Sequence, residues 1–130
     1  MSDYTMTITL DTDLAETEER VRAALAEEGF GILSEIDVQS ALQDKLGEDV
    51  GPYKILGACN PQLAHRALET DRSIGALLPC NVVVRGDGDQ TVVDALDPSI
   101  MSSLASGLEA VASDATRLID AALTKLSSES

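Results

Sequence analysis

Two cysteines in this chain share one short context, because each is followed directly by asparagine. The pairs are Cys59-Asn60 and Cys80-Asn81. Thiolates act as nucleophiles and metal ligands, so two thiols that meet in the fold could exchange disulfides or hold a metal ion transiently. Their spacing matches neither a CxxC motif nor a zinc finger. The alternative is that both are small buried hydrophobic residues, which is how free cysteine usually behaves.

Other reactive residue types give weaker signals. His65 is the single histidine, and Glu69 lies one helical turn further on, which favours an exposed ion pair rather than a ligand set. The segment 86–89 (Gly-Asp-Gly-Asp) joins two predicted strands, so it is interpreted as a hairpin turn and not a phosphate-binding loop. A calcium loop counted from Asp87 would place Pro98 at the position that needs glutamate. No known nucleophile–base pattern is present, and whether the protein is an enzyme stays open.

Length and composition predict one soluble globular domain over residues 1–130. The chain is 44% hydrophobic and 25% charged, with a formal net charge of −14. Charge of that sign and size argues against nucleic acid and membrane surfaces as partners. Residues 1–13 lack the basic and apolar regions of a signal peptide, and two cysteines without a framework suit a reducing compartment. We therefore expect a cytoplasmic protein.

The acidic residues are spread along the chain rather than gathered in a tail. The chain has 23 acidic residues against 9 basic ones, and bulky aromatic residues are few. This pattern is typical of proteins from halophilic organisms, where high salt screens repulsion between surface charges. An ordinary acidic protein kept soluble by its charge is the alternative. Acidity that reflects salt adaptation carries no information about a partner.

Local patterns place each cysteine at the end of a predicted element. Residues 53–59 are typical of a strand, and Asn60-Pro61 favours the start of a helix that continues to about residue 70. The helix dipole would favour a thiolate at Cys59. Cys80 follows Pro79 and precedes a strand at residues 81–85, which pairs with 91–96 as a hairpin.

The remaining elements complete an α+β pattern. Strands are predicted at residues 4–10 and 30–37, with a helix after Asp13 that stops at Gly29 and a short helix over 38–46. Residues 74–78 form an apolar lead into the second cysteine. From Pro98 onward, apolar spacing predicts one long C-terminal helix that continues through Gly107. The residues expected to face the sheet are Leu104, Leu108, Val111, Leu118 and Ala122.

The segments 53–61 and 74–84, together with Asp97-Pro98, resemble the signature of the DUF302 family. The resemblance implies an α+β fold with a curved antiparallel sheet packed against a long C-terminal helix, similar to TATA-binding-protein-like or helix-grip arrangements. It also implies a homodimer. Both Cys-Asn pairs belong to the family pattern, which favours one shared site. The family is uncharacterised, so the resemblance supplies neither a reaction nor a cofactor.

Three hypotheses follow. In the first, Cys59 and Cys80 form a thiol-redox or transient metal-handling site, with Asn60 and Asn81 supporting it; a metal would need a further ligand from water, His65 or a second subunit. The second is a module that binds a small apolar molecule between the sheet and the C-terminal helix. The third is a structural role as a dimer, without catalysis.

Overall fold

The computed structural model describes residues 3–129, which form an antiparallel sheet with helices. The strands are β1 (Thr5–Leu10), β2 (Gly31–Asp37), β3 (Tyr53–Cys59), β4 (Cys80–Asp87) and β5 (Gln90–Leu96). The helices are α1 (Leu14–Glu27), α2 (Val38–Leu46), α3 (Pro61–Thr70), α4 (Ile100–Leu104) and α5 (Glu109–Glu129), with a 3-10 helix at Arg72–Leu77. The predicted α+β class is confirmed.

The five strands lie in the order β1-β5-β4-β3-β2, and every neighbouring pair is antiparallel. The hairpin of β4 and β5 forms as predicted, and its strands extend to Asp87 and Gln90, which pair directly across the turn. Gly88 in that turn has φ 61°, which glycine adopts without steric cost. The first strand of the chain joins β5, so the first and last strands in sequence order are neighbours in the sheet.

Helices α1 and α5 pack on one face of the sheet. Strand side chains alternate between faces, so β3 and β4 direct Leu56, Ala58, Val82 and Val84 toward these helices. Their counterparts on the helices are likewise buried. Asp13 begins α1 as predicted, with its Oδ1 accepting the backbone N–H of Glu16 at 2.8 Å.

A second apolar cluster lies beside the first, where α3, the 3-10 helix, α4 and the start of α5 converge. Its buried members include Leu63, Ala67, Ile74, Met101 and Leu108. This cluster backs the ends of β3 and β4 at which the two cysteines lie. The apolar lead predicted over 74–78 is therefore part of a helical turn that packs against the core.

The prediction of one continuous C-terminal helix is wrong, because the helix is interrupted between α4 and α5. Gly107 has φ 85°, a left-handed conformation that interrupts the helix. A Cβ there would also lie 3.1 Å from the Thr70 Cγ2 atom, so α3 approaches closely. Leu104 consequently stays 66% exposed, whereas Leu108, Val111 and Ala122 are buried as expected. Leu118 is partly buried.

Among residues 3–129, no helix combines the length and the apolar character that crossing a bilayer requires.

Candidate functional site

Cys59 lies at the junction of a strand and a helix. It is the last residue of β3, and α3 begins two residues later at Pro61. Asn60 is the N-cap in extended conformation (φ −98°, ψ 109°), and its Oδ1 accepts the Leu63 N–H at 3.3 Å. The sequence prediction for this junction is confirmed. Cys59 itself is half-buried, so a reagent in solvent can reach part of it.

Cys80 begins β4 and is much less accessible. Only 7% of the residue is exposed, and the preceding Leu78–Pro79 peptide bond is cis. Burial raises the pKa of the Cys80 thiol, and a negative charge on Cys59 would raise it further. Cys80 is therefore a protonated thiol at neutral pH while it stays buried.

The two cysteines lie on neighbouring strands, offset by one residue. In the β3–β4 register Ala58 pairs with Cys80, so Cys59 is one position beyond that pair. Ordinary strand spacing then puts the Cys59 and Cys80 α-carbons about 6 Å apart. A disulfide tolerates α-carbon separations up to about 7 Å. Both cysteines are free thiols in this structure.

Both cysteines line one small apolar cavity. It has a volume of about 20 Å³, which is room for about one water molecule. The second apolar cluster supplies much of its wall through Leu63, Met101 and Val111. Buried side chains of the sheet and of α5 fill the space between them, which is where the second hypothesis places a small apolar ligand. The two thiols therefore line the same cavity, but this cavity is too small for a drug-sized ligand.

The position of Cys59 at the very end of β3 affects how it faces Cys80. Cys80 shares the core-facing side with its partner Ala58, and the next residue along a strand points to the opposite side. Cys59 is the last residue of β3, however, and it lines the same cavity as Cys80.

Comparison with known proteins places the chain in a family. The pattern described as "Domain of unknown function DUF302" matches residues 6–126. The chain belongs to the DUF302 family. A solved structure described as an uncharacterised conserved DUF302 protein from Bacillus stearothermophilus is similar, with 31% identity and a TM-score of 0.87. The match covers 95% of this chain and 98% of that one. No curated protein matches the chain.

The two asparagines of this DUF302 protein do different things. Asn60 caps α3, and its Nδ2 also donates to the Glu28 carbonyl oxygen at 3.3 Å, which ties the helix start to the end of α1. Asn81 is exposed and lines a groove on the other face of the sheet. The expectation that both support one thiol site needs this correction: alternation along β4 turns Asn81 away from the side that Cys80 faces.

His65 does not join the cysteines. Its side chain is 74% exposed, and Nδ1 lies 3.4 Å from the Glu69 carboxylate, which is the surface pair that the sequence predicted. Within residues 3–129, no group of three or more histidine, cysteine, aspartate or glutamate side chains is arranged to hold a metal ion.

Sequence reasoning missed a polar row on the uncovered face of the sheet. Asp94 accepts hydrogen bonds from Thr7 Oγ1 at 2.7 Å and from Arg85 Nε at 2.8 Å. The sequence analysis predicts these residues as strand residues and assigns them no site. The register of the hairpin was the available signal, because it places Val83 opposite Asp94 and thereby brings Arg85 to the same face.

Proposed function

We propose that this DUF302 protein is a cytoplasmic thiol–disulfide exchange protein in which Cys59 reacts first and Cys80 resolves. The supporting observation is that one half-buried and one buried thiol, on adjacent strands, line the same apolar cavity. The more accessible thiol is the one a solute can attack or be attacked by. A reducing compartment would keep both thiols free between cycles.

The reaction consumes a small-molecule disulfide, RSSR. The Cys59 thiolate attacks one sulfur, a Cys59–SR bond forms, the RS–SR bond breaks, and the departing RS⁻ takes the proton that Cys59 released. Cys80 then loses its proton and attacks the Cys59 sulfur, which expels the second RS⁻ to be protonated in turn. The two protein thiols are oxidised to a disulfide, and RSSR is reduced to two RSH.

The burial of Cys80 makes the second step the slower one. Burial disfavours the Cys80 thiolate, which is the form that attacks in this step. The mixed disulfide at Cys59 therefore persists until Cys80 loses its proton. Accumulation followed by decay of the mixed disulfide is the kinetic signature of this proposal.

Mass spectrometry of the full chain with 2-hydroxyethyl disulfide tests the order of events. We expect the native protein to gain one RS group and then lose it, ending two hydrogen atoms lighter than the reduced protein. Cys80→Ser should stop at the mixed disulfide, and Cys59→Ser should not form one quickly. The double serine variant is the matched control, because it has no thiol.

Two outcomes would overturn the proposal. One is that both thiols stay inert until the protein is denatured, which would make them buried hydrophobic residues. The other is that the native protein stops at the same mixed disulfide as Cys80→Ser, which would mean that Cys80 does not resolve.

We also propose that the acidic surface is an adaptation to high salt, as in a halophilic DUF302 member. The net charge of −14 and the spread of the acidic residues support it. The homodimer that the family resemblance implied stays a prediction, and sedimentation equilibrium over a range of protein concentrations tests it.

A further inference from the structure

The sheet face opposite α1 and α5 carries a groove of about 470 Å³. That volume lies within the range of about 300 to 1,000 Å³ that is usual for small-molecule sites. Tyr4 and Tyr53 line it, and they are two of the three aromatic residues of the chain. Val83 and Leu96 add apolar surface between them. The groove is thus suited to a flat, apolar body.

One guanidinium group is held in a fixed position in this groove. Arg85 donates through Nε to Asp94 Oδ2 at 2.8 Å, while Thr7 Oγ1 occupies Asp94 Oδ1 at 2.7 Å. The Asp94 side chain is only 17% exposed, which limits its motion, whereas that of Arg85 is 38% exposed. The hydrogen bond to Asp94 raises the pKa of Arg85, so the guanidinium is charged at every physiological pH.

The pair with Asp94 leaves the outer edge of the guanidinium available. Among residues 3–129, the two terminal nitrogens of Arg85 donate no hydrogen bond. Two such nitrogens match the two oxygens of a carboxylate, and a bidentate pair of this kind is both strong and directional. Arg85 is the one cation among the groove residues that the structure describes.

The charge of the groove limits the ligand to a monoanion. Arg85 and Asp94 cancel each other among the residues that line the groove, Asp87 lies near enough to act on Arg85, and the chain as a whole has a net charge of −14. A polyanion such as a nucleotide would meet repulsion from the rest of the surface without a second cation to offset it. A single carboxylate needs one bidentate partner, and the groove provides one.

We propose that this groove binds a small monocarboxylate with a flat apolar body. The carboxylate pairs with the terminal nitrogens of Arg85, and the body lies on Val83 and Leu96 beside the tyrosine rings. Asp94 is a positioning residue that holds the guanidinium in place. The site is separate from the thiols, because Cys80 faces the other side of the sheet.

Benzoate and benzamide are the probes, titrated into the full chain labelled with ¹⁵N. They share a ring, but only benzoate carries the charge that Arg85 would recognise. We expect benzoate to shift the amide signals of β4 and β5 and to bind at least tenfold more tightly than benzamide, as expected for charge-assisted hydrogen bonds. Arg85→Gln should remove that preference.

A matched control lies elsewhere on the surface. Arg66 donates to Asp114 at 2.8 Å with similar exposure, but it lies on α3, outside the groove. Arg66→Gln should leave benzoate binding unchanged. Arg85→Lys keeps the positive charge without the bidentate edge, so it should weaken benzoate binding even if Arg85→Gln fails to fold.

Three results would overturn this inference: equal binding of benzamide and benzoate, equal losses in the variants of Arg66 and Arg85, or no binding in the native protein. Groove signals that shift with protein concentration but not with benzoate would also overturn it, since a second copy of the chain would then cover this face.

Discussion

Removal of the Asn60 side chain should destabilise the protein, although Asn60 belongs to a motif that suggests chemistry. The side chain makes two hydrogen bonds, one from the Leu63 N–H and one to the Glu28 carbonyl oxygen, both at 3.3 Å. Loss of an N-cap costs about 1 kcal/mol. Loss of a part-buried hydrogen bond to a backbone carbonyl costs about another 1 kcal/mol.

Asn60→Ala should therefore lower the free energy of unfolding by about 2 kcal/mol. In a domain of this size, that corresponds to a fall in Tm of roughly 8 °C. Asn60→Asp keeps the oxygen that accepts from Leu63 and loses only the Nδ2 donor, so it should cost about 1 kcal/mol. Urea unfolding followed by far-UV circular dichroism measures both.

Asn81→Ala is the matched control, because Asn81 is exposed and makes no side-chain hydrogen bond within residues 3–129. Its effect should stay within about 0.5 kcal/mol. The reasoning would be refuted if Asn60→Ala changed stability by less than Asn81→Ala, or if the alanine and aspartate variants at position 60 behaved alike.

Three further predictions concern the surface and the core. Tm should rise between low and multimolar potassium chloride, because salt screens the repulsion behind a net charge of −14; a constant Tm would contradict salt adaptation. Burial opposes ionisation of Glu18, but hydrogen bonds from Lys54 and Arg22 outweigh it and lower the Glu18 pKa. The ionised Glu18 therefore stabilises the folded protein fully at neutral pH, and this stabilisation is lost as pH falls below about 4. Glu18→Gln should flatten that acid limb of the stability curve, and an unchanged limb would contradict the network. Ile119 is fully buried, so Ile119→Ala should lower the free energy of unfolding in urea by about 2–5 kcal/mol. Leu104 is 66% exposed, so Leu104→Ala should lower it far less. Similar losses of stability in the two variants would contradict the interruption between α4 and α5.

Short-range interactions along the sequence specify the local features of this protein. Asp13 and Asn60-Pro61 begin helices where capping chemistry predicted them, and the hairpin of β4 and β5 turns at its glycine. Each of these features depends on interactions within a few residues, so neighbouring side chains are enough to specify them. The family signature added the arrangement of a curved antiparallel sheet packed against a long C-terminal helix.

Contacts between distant segments determine which residues the candidate sites contain. The pairing of β1 with β5 brings Thr7 to Asp94 across 87 residues, and no local pattern encodes that contact. The close approach of Thr70 to Gly107, where the helix breaks, likewise depends on packing between distant segments. Strand register also places Asn81 on the opposite face from Cys80. Side chains alternate along any strand, but the neighbouring strands and helices determine which of its two faces is the core.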